Sequence, residues 1–197
     1  LFKLTLSNKG GGSIQKLLLV EKNSDGTNRY NGSYEKGEYI EGVPVTLIDS
    51  DRCNPCVVDN DNFFEFDRLY NNPIILNGDQ SIVLRAESNG LIKTTTIYGN
   101  SYSIEHEYLN VNQDQTISVV WESGLLPSEK NISEEITYLT AYMQEGEKLK
   151  SFGIKSGDSP FDTNKKNEWT AIKTKYFVKA IVHSNNEAQN TQLTYDN

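Results

Sequence analysis

Apolar and polar positions alternate along most of the chain. Residues 2–6 read FKLTL, and residues 91–98 read LIKTTTIY, with β-branched side chains concentrated in such runs. A period of two places one set of side chains on each face of a strand. The pattern predicts strands at Phe2–Leu6, Ile14–Glu21, Gly42–Ile48, Phe63–Arg68, Ser81–Ala86, Leu91–Tyr98, Ser101–His106 and Thr116–Trp121. Later strands are expected at Ile136–Met143, Leu149–Ile154 and Thr170–Val182, the last of these broken in two, with Thr191–Tyr195 as an edge strand. Turn signals separate them: Gly10-Gly11-Gly12, Asp25-Gly26, Asn31-Gly32, Asn77-Gly78-Asp79, Asn89-Gly90 and Gly99-Asn100. Many short strands between closely spaced turns predict an all-β, antiparallel sandwich. One short helical turn is expected between Ser128 and Ile136, where Ser128-Glu129 and Ser133-Glu134-Glu135 read as caps.

The stretch from Glu122 to Asn131, with Gly124 and Pro127, is the best boundary. It divides the chain into a β-sandwich module at 1–122 and a smaller β module at 123–197; the alternative is a single domain over 1–197.

Composition narrows the function. The formal net charge is −8 and the mean hydropathy −0.58. An acidic surface with no basic stripe argues against nucleic acid as a partner. No run of 18 apolar residues provides a membrane span. The opening residues lack the features of a signal peptide, so the chain reads as processed or excised.

Residues 41–69 read EGVPVTLIDSDRCNPCVVDNDNFFEFDRL: a Gly-Val-x-Val-x-Leu strand, an acidic turn, an Asp-rich tip and a Phe-x-Phe strand. LLLVEKNSDG precedes it at 17–26 and SIVLRAESNGLIKTT follows at 81–95. Over residues 14–121 this order resembles the carboxypeptidase-regulatory-like and collagen-adhesin B-type sandwiches, prealbumin-like folds used as stalk and accessory modules. Some members of the adhesin group form an intramolecular isopeptide bond, and by position Lys22 resembles its lysine and Glu87 its assisting acid, although a surface lysine and a surface carboxylate are the favoured reading of the two. The final strand, TISVVW at 116–121, offers no Asn acceptor.

Cys53-Asn54-Pro55-Cys56 sits at a turn with no helical pattern after it, which favours a local disulfide over a redox dithiol and places the chain in an oxidising compartment. Asp49, Asp51, Asp59 and Asp61 bracket that turn. Two Asp-x-Asp pairs admit a Ca²⁺ site, as in a C2-type lipid-binding sandwich, although ordinary turn chemistry explains them better. No other cofactor is expected. His106 and His183 are the two histidines, and neither lies in a nucleophile motif, so the chain is not expected to be an enzyme. Tyr30, Tyr34 and Tyr39 crowd a polar stretch and are the expected ligand-binding side chains. These readings add up to a secreted or cell-surface, immunoglobulin-like adhesion or binding module for a glycan or protein. The alternative is a self-associating structural subunit or stalk domain of a cell-surface or virion assembly.

Overall fold

The computed structural model describes residues 1–57, 64–70, 72–109, 117–153, 161–163, 166–184 and 190–193. The chain is all-β and its strand pairs run antiparallel, as the alternation requires. It divides into two units: residues 1–33 with 40–126, and residues 34–39 with 127–197.

In chain order the first eleven strands are β1 (Phe2–Ser7), β2 (Ser13–Leu19), β3 (Asn31–Glu35), β4 (Glu38–Pro44), β5 (Thr46–Asp49), β6 (Cys56–Val57), β7 (Glu65–Phe66), β8 (Ser81–Ser88), β9 (Leu91–Tyr98), β10 (Ile104–Leu109) and β11 (Val119–Val120). The first unit holds a three-stranded sheet, β1-β2-β5, and a four-stranded one, β10-β9-β8-β7, with a small β11-β6 pair. Its core contains Ile14, Leu19, Val45, Ile48, Val57, Phe64 and Ala86.

The β8–β9 hairpin turns at Asn89 (φ 51°) and Gly90 (φ 81°), both in the left-handed region that a two-residue type I′ turn demands. A second hairpin, β3–β4, turns the same way at Lys36 (φ 51°) and Gly37 (φ 85°). That hairpin occupies the stretch expected to be a loop. The strand expected over Gly42–Ile48 is in fact two, with β4 ending at Pro44 and β5 starting at Thr46. Proline has no N–H with which to continue a ladder. The strand expected to begin at Ser101 starts three residues later, at Ile104.

The second unit contains α1 (Ile132–Ile136), β12 (Thr140–Glu145), β13 (Lys148–Gly153), β14 (Phe161–Thr163), β15 (Trp169–Lys173), β16 (Val178–Val182) and β17 (Thr191–Leu193). Its main sheet has the order β13-β12-β15-β16, and β14 pairs with β17. The helix is capped by Asn131, whose side-chain oxygen accepts from the Glu134 N–H, and not by either serine. Ser128 is spent elsewhere. Its N–H and hydroxyl donate to the buried Glu135 carboxylate at 2.8 and 3.0 Å, and the Glu129 N–H adds a third bond at 3.0 Å.

Glu135 thus gathers the 127–131 approach onto α1. Replacing Glu135 by Ala orphans three donors, two of them backbone, and is expected to destabilise the chain by about 2 kcal/mol in chemical denaturation.

Candidate functional site

A buried polar cluster of the first unit lies beneath the Gly10-Gly11-Gly12 loop that joins β1 to β2. Lys93 on β9 is fully buried there. Its Nζ donates to the Gly10 carbonyl at 2.7 Å and to the Pro55 carbonyl at 3.4 Å, and lies 5.6 Å from the centre of the Tyr108 ring. The glycines are a steric requirement. A Cβ on Gly10 would lie 2.3 Å from Cys56 Sγ, and one on Gly11 would meet Lys93 Cδ at 3.0 Å. Both residues also hold positive φ.

Tyr108 and His106 follow from register. They sit opposite Lys93 and Thr95 in the β10–β9 ladder, on the same inward face. Thr95 Oγ1 lies 3.1 Å from His106 Nδ1, and the Trp121 ring meets the imidazole edge-on at 6.5 Å. His106 Nε2 and the Tyr108 hydroxyl are buried without a hydrogen-bonding partner among the described residues. Burial pushes the Lys93 ammonium down to about 7. Burial, reinforced by the charge of Lys93, pushes His106 down to about 3. Burial raises the Tyr108 phenol.

The Cys53–Cys56 disulfide closes the turn on the other side of Lys93, with Cα atoms 5.4 Å apart. Asn54, between the cysteines, is completely buried. Its N–H donates to Ser13 Oγ at 2.7 Å, and its Nδ2 donates to the Ile14 and Arg52 carbonyls, each at 3.2 Å. Its Oδ1 accepts from the Ser123 N–H at 2.9 Å and the Ser123 hydroxyl at 2.7 Å. Chemically the cluster is a closed structural hub. Lys93 spends its donors on backbone carbonyls, and among the described residues no carboxylate extends the Thr95–His106 contact.

The other expected site residues are dispersed. Asp49 on β5 pairs with its cross-strand neighbour Lys16 at 2.8 Å. Asp51 is exposed, and its backbone carbonyl, not its carboxylate, accepts from Lys9 Nζ at 3.4 Å. Asp59 and Asp61 lie outside the described residues. Among the described residues no group of three or more His, Cys, Asp or Glu side chains is placed to hold a metal ion. Tyr34 and Tyr39 face each other edge-on across the β3–β4 turn, with ring centres 5.4 Å apart, and the Tyr34 hydroxyl donates to the Lys130 carbonyl at 2.9 Å. Tyr30 belongs to the other unit and is covered by Arg29, 5.5 Å from its ring centre.

Sequence reasoning passed over Lys93, Thr95 and Asn54. A lysine in the middle of the otherwise β-branched run LIKTTTIY was the available signal, because an inward lysine there requires backbone acceptors.

The fold and its hub define an all-β domain with buried polar groups bonded into its turns. The family model of the YidC periplasmic domain matches residues 1–197, and the chain belongs to that family. No curated protein and no solved structure matches it.

This membership corrects several expectations. The chain is not a carboxypeptidase-regulatory-like or collagen-adhesin sandwich; alternating strands and Asp-Gly turns are common to antiparallel sandwiches and do not discriminate among them. The isopeptide roles fall with the resemblance. Lys22 is exposed and bonds Asn28 within its own turn, while Glu87 is exposed beside Arg85 at 3.4 Å. The adhesion and glycan-binding reading, with its cell-surface setting, and the self-associating stalk or virion-subunit alternative give way as well, because the family is the periplasmic part of a membrane insertase. The expected extracytoplasmic placement stands in that coarse form. No helix among the described residues is long and apolar enough to cross a membrane.

The hub yields two predictions. Asn54→Ala removes both donors and the acceptor of the buried amide and is expected to cost about 3 kcal/mol in urea denaturation. The second concerns pH. His106 has an ordinary value of 6.5 and a folded value of about 3, so stability is full above 6.5 and is lost as pH falls towards 3. Lys93 has an ordinary value of 10.5 and a folded value of about 7, so the folded chain binds fewer protons than the unfolded chain between these values, and stability rises with pH across that window. Denaturation at a series of pH values should show the acid slope reduced in His106→Gln and the alkaline rise missing in Lys93→Met.

Proposed function

We propose that this chain is a non-catalytic extracytoplasmic domain of a membrane insertase, facing the periplasm, and that it offers sheet surface to membrane-protein substrates or to the translocon. The match to the YidC periplasmic domain across residues 1–197 carries this reading. The second unit supplies surface of the right chemistry. On β16, Val178 and Val182 are 64% and 68% exposed, and Ala180 is exposed between them. All three lie on one face of the strand that ends the sheet order, bonded to β15 on one side. Such a strand presents free backbone groups beside an apolar stripe, which suits an extended polypeptide.

The test is site-specific photocrosslinking from position 180, between the two valines, in the full-length, membrane-embedded protein. Adducts with membrane-protein substrates or translocon subunits are expected, and Val178→Asp with Val182→Asp should reduce them several-fold while the melting temperature of the domain holds. Absence of any such adduct from the unmodified strand would reject the proposal.

A further inference from the structure

The first unit carries a second apolar surface, unrelated to β16. Between β7 and β8 the chain runs through Arg68–Tyr70 and 72–76. Leu69 and Ile75 are 77% and 78% exposed, Ile74 is 45% exposed and Tyr70 41%. Exposed aliphatic side chains of this kind gathered in one short connection mark a contact surface, whereas isolated ones do not.

This connection is held at both ends. At its start the Asp67 N–H donates to the Arg85 carbonyl at 3.1 Å, and Arg85 Nη1 grips the Asp67 carboxylate at 2.8 and 3.0 Å. At its end the Gln80 N–H donates to the Asn77 carbonyl at 3.1 Å, and Gln80 Oε1 accepts from the Asn77 N–H at 2.8 Å. The Gly99 N–H donates to the Gln80 carbonyl at 2.8 Å. Gly99 must be glycine, since a Cβ would lie 2.9 Å from the Gly78 carbonyl oxygen and 3.0 Å from Leu76 C. The apolar tips are therefore displayed from a fixed base.

The charge pattern points to the occupant. From Arg68 to Gly78 the sequence contains no acidic residue and one cation, on a chain of net charge −8. Arg68 lies 5.0 Å from the centre of the Tyr70 ring. Two acids flank the stretch: Asp67 is paired with Arg85, and Asp79 accepts from Asn100 Nδ2 at 2.7 Å. Aliphatic tips beside a tyrosine and an arginine fit a bilayer boundary: the tips enter the acyl region, the phenol sits at headgroup level, and the guanidinium meets a lipid phosphate.

We propose that Arg68–Tyr70 and residues 72–76 form a membrane-contact loop that seats Leu69 and Ile75 in the headgroup–acyl boundary of a lipid bilayer. This rests on the insertase reading for its setting, since that reading puts the domain beside a membrane.

The 197-residue chain should co-sediment with phosphatidylethanolamine/phosphatidylcholine vesicles. Leu69→Ser combined with Ile75→Ser should lower partitioning by about tenfold or more. Arg68→Gln should lower it roughly fivefold on vesicles containing phosphatidylglycerol, with that loss fading at high salt. All these side chains are exposed, so circular-dichroism melts should be unchanged. As an independent readout, the added fluorophore of Ile75→Trp should be quenched by lipids brominated near the headgroup. The proposal is overturned if the parent chain stays in the supernatant, if the double variant binds as well as the parent, or if the patch proves to be a contact between copies, seen as a parent dimer and a monomeric double variant without lipid binding. Cross-linking from β16 in the full-length protein is unaffected by any of these outcomes, so failure here leaves the insertase reading to its own test.

Discussion

A buried primary amide organises the first unit. Asn54 touches three stretches far apart in sequence: the start of β2 through Ser13 and Ile14, its own turn through Arg52, and the chain after β11 through Ser123. Each polar atom of the side chain is engaged, and with no exposed surface the residue has no water to fall back on. An orphaned buried donor or acceptor costs on the order of 1–3 kcal/mol, so the turn around it has little freedom to move. The backbone reinforces the same junction. The Ile14 N–H donates to the Asn54 carbonyl at 2.8 Å, and Cys53 exchanges bonds with Glu122 at 2.6 and 2.8 Å. Fixing that turn aims the Pro55 carbonyl at Lys93, and the glycine loop supplies the second acceptor. The lysine can be buried because these carbonyls are already in place, and the three-glycine sequence is what lets the loop come close enough.

Much of this architecture was legible in the amino-acid pattern, and for a reason. Where one strand face is covered and the other wet, the period of two is enforced residue by residue, as in Phe2–Ser7, which ends one residue beyond the expected strand. Asn89-Gly90 announced its turn because few other pairs accept two left-handed conformations. Lys36-Gly37 makes the same kind of turn without announcing it, because lysine has no preference for the left-handed region and the surrounding residues are polar. Pattern failed where tertiary contacts outrank local preference. Ser128 has the chemistry of a helix cap but is claimed by Glu135. The strand predicted from Ser101 begins late for a local reason: the Ser101 hydroxyl accepts the Ser103 N–H at 3.0 Å, a serine turn that competes with the ladder. Function was the least legible. Alternation and turn chemistry specify a sandwich, and sandwiches serve many roles, so local motifs led to the wrong family.

The hub and the exposed surfaces divide the work of the domain. Lys93 and Asn54 are fully buried and bonded into the fold, and the polar tips of His106 and Tyr108 are closed off from solvent. Among the apolar side chains that the chain does show are the β16 valines in one unit and those of Arg68–Tyr70 and 72–76 in the other.

The β3–β4 hairpin adds a constraint of another kind. Its tip, Tyr34–Tyr39, belongs to the second unit, while the rest of that unit begins at Pro127. During synthesis and export the tip emerges roughly ninety residues before the segments it joins. It must wait, half-finished, while the first unit assembles around its flanks. The two units therefore cannot mature strictly one after the other, and a cut at the apparent boundary would leave the second without one of its pieces. Such long-range closure slows folding and extends the time during which an open hairpin is exposed.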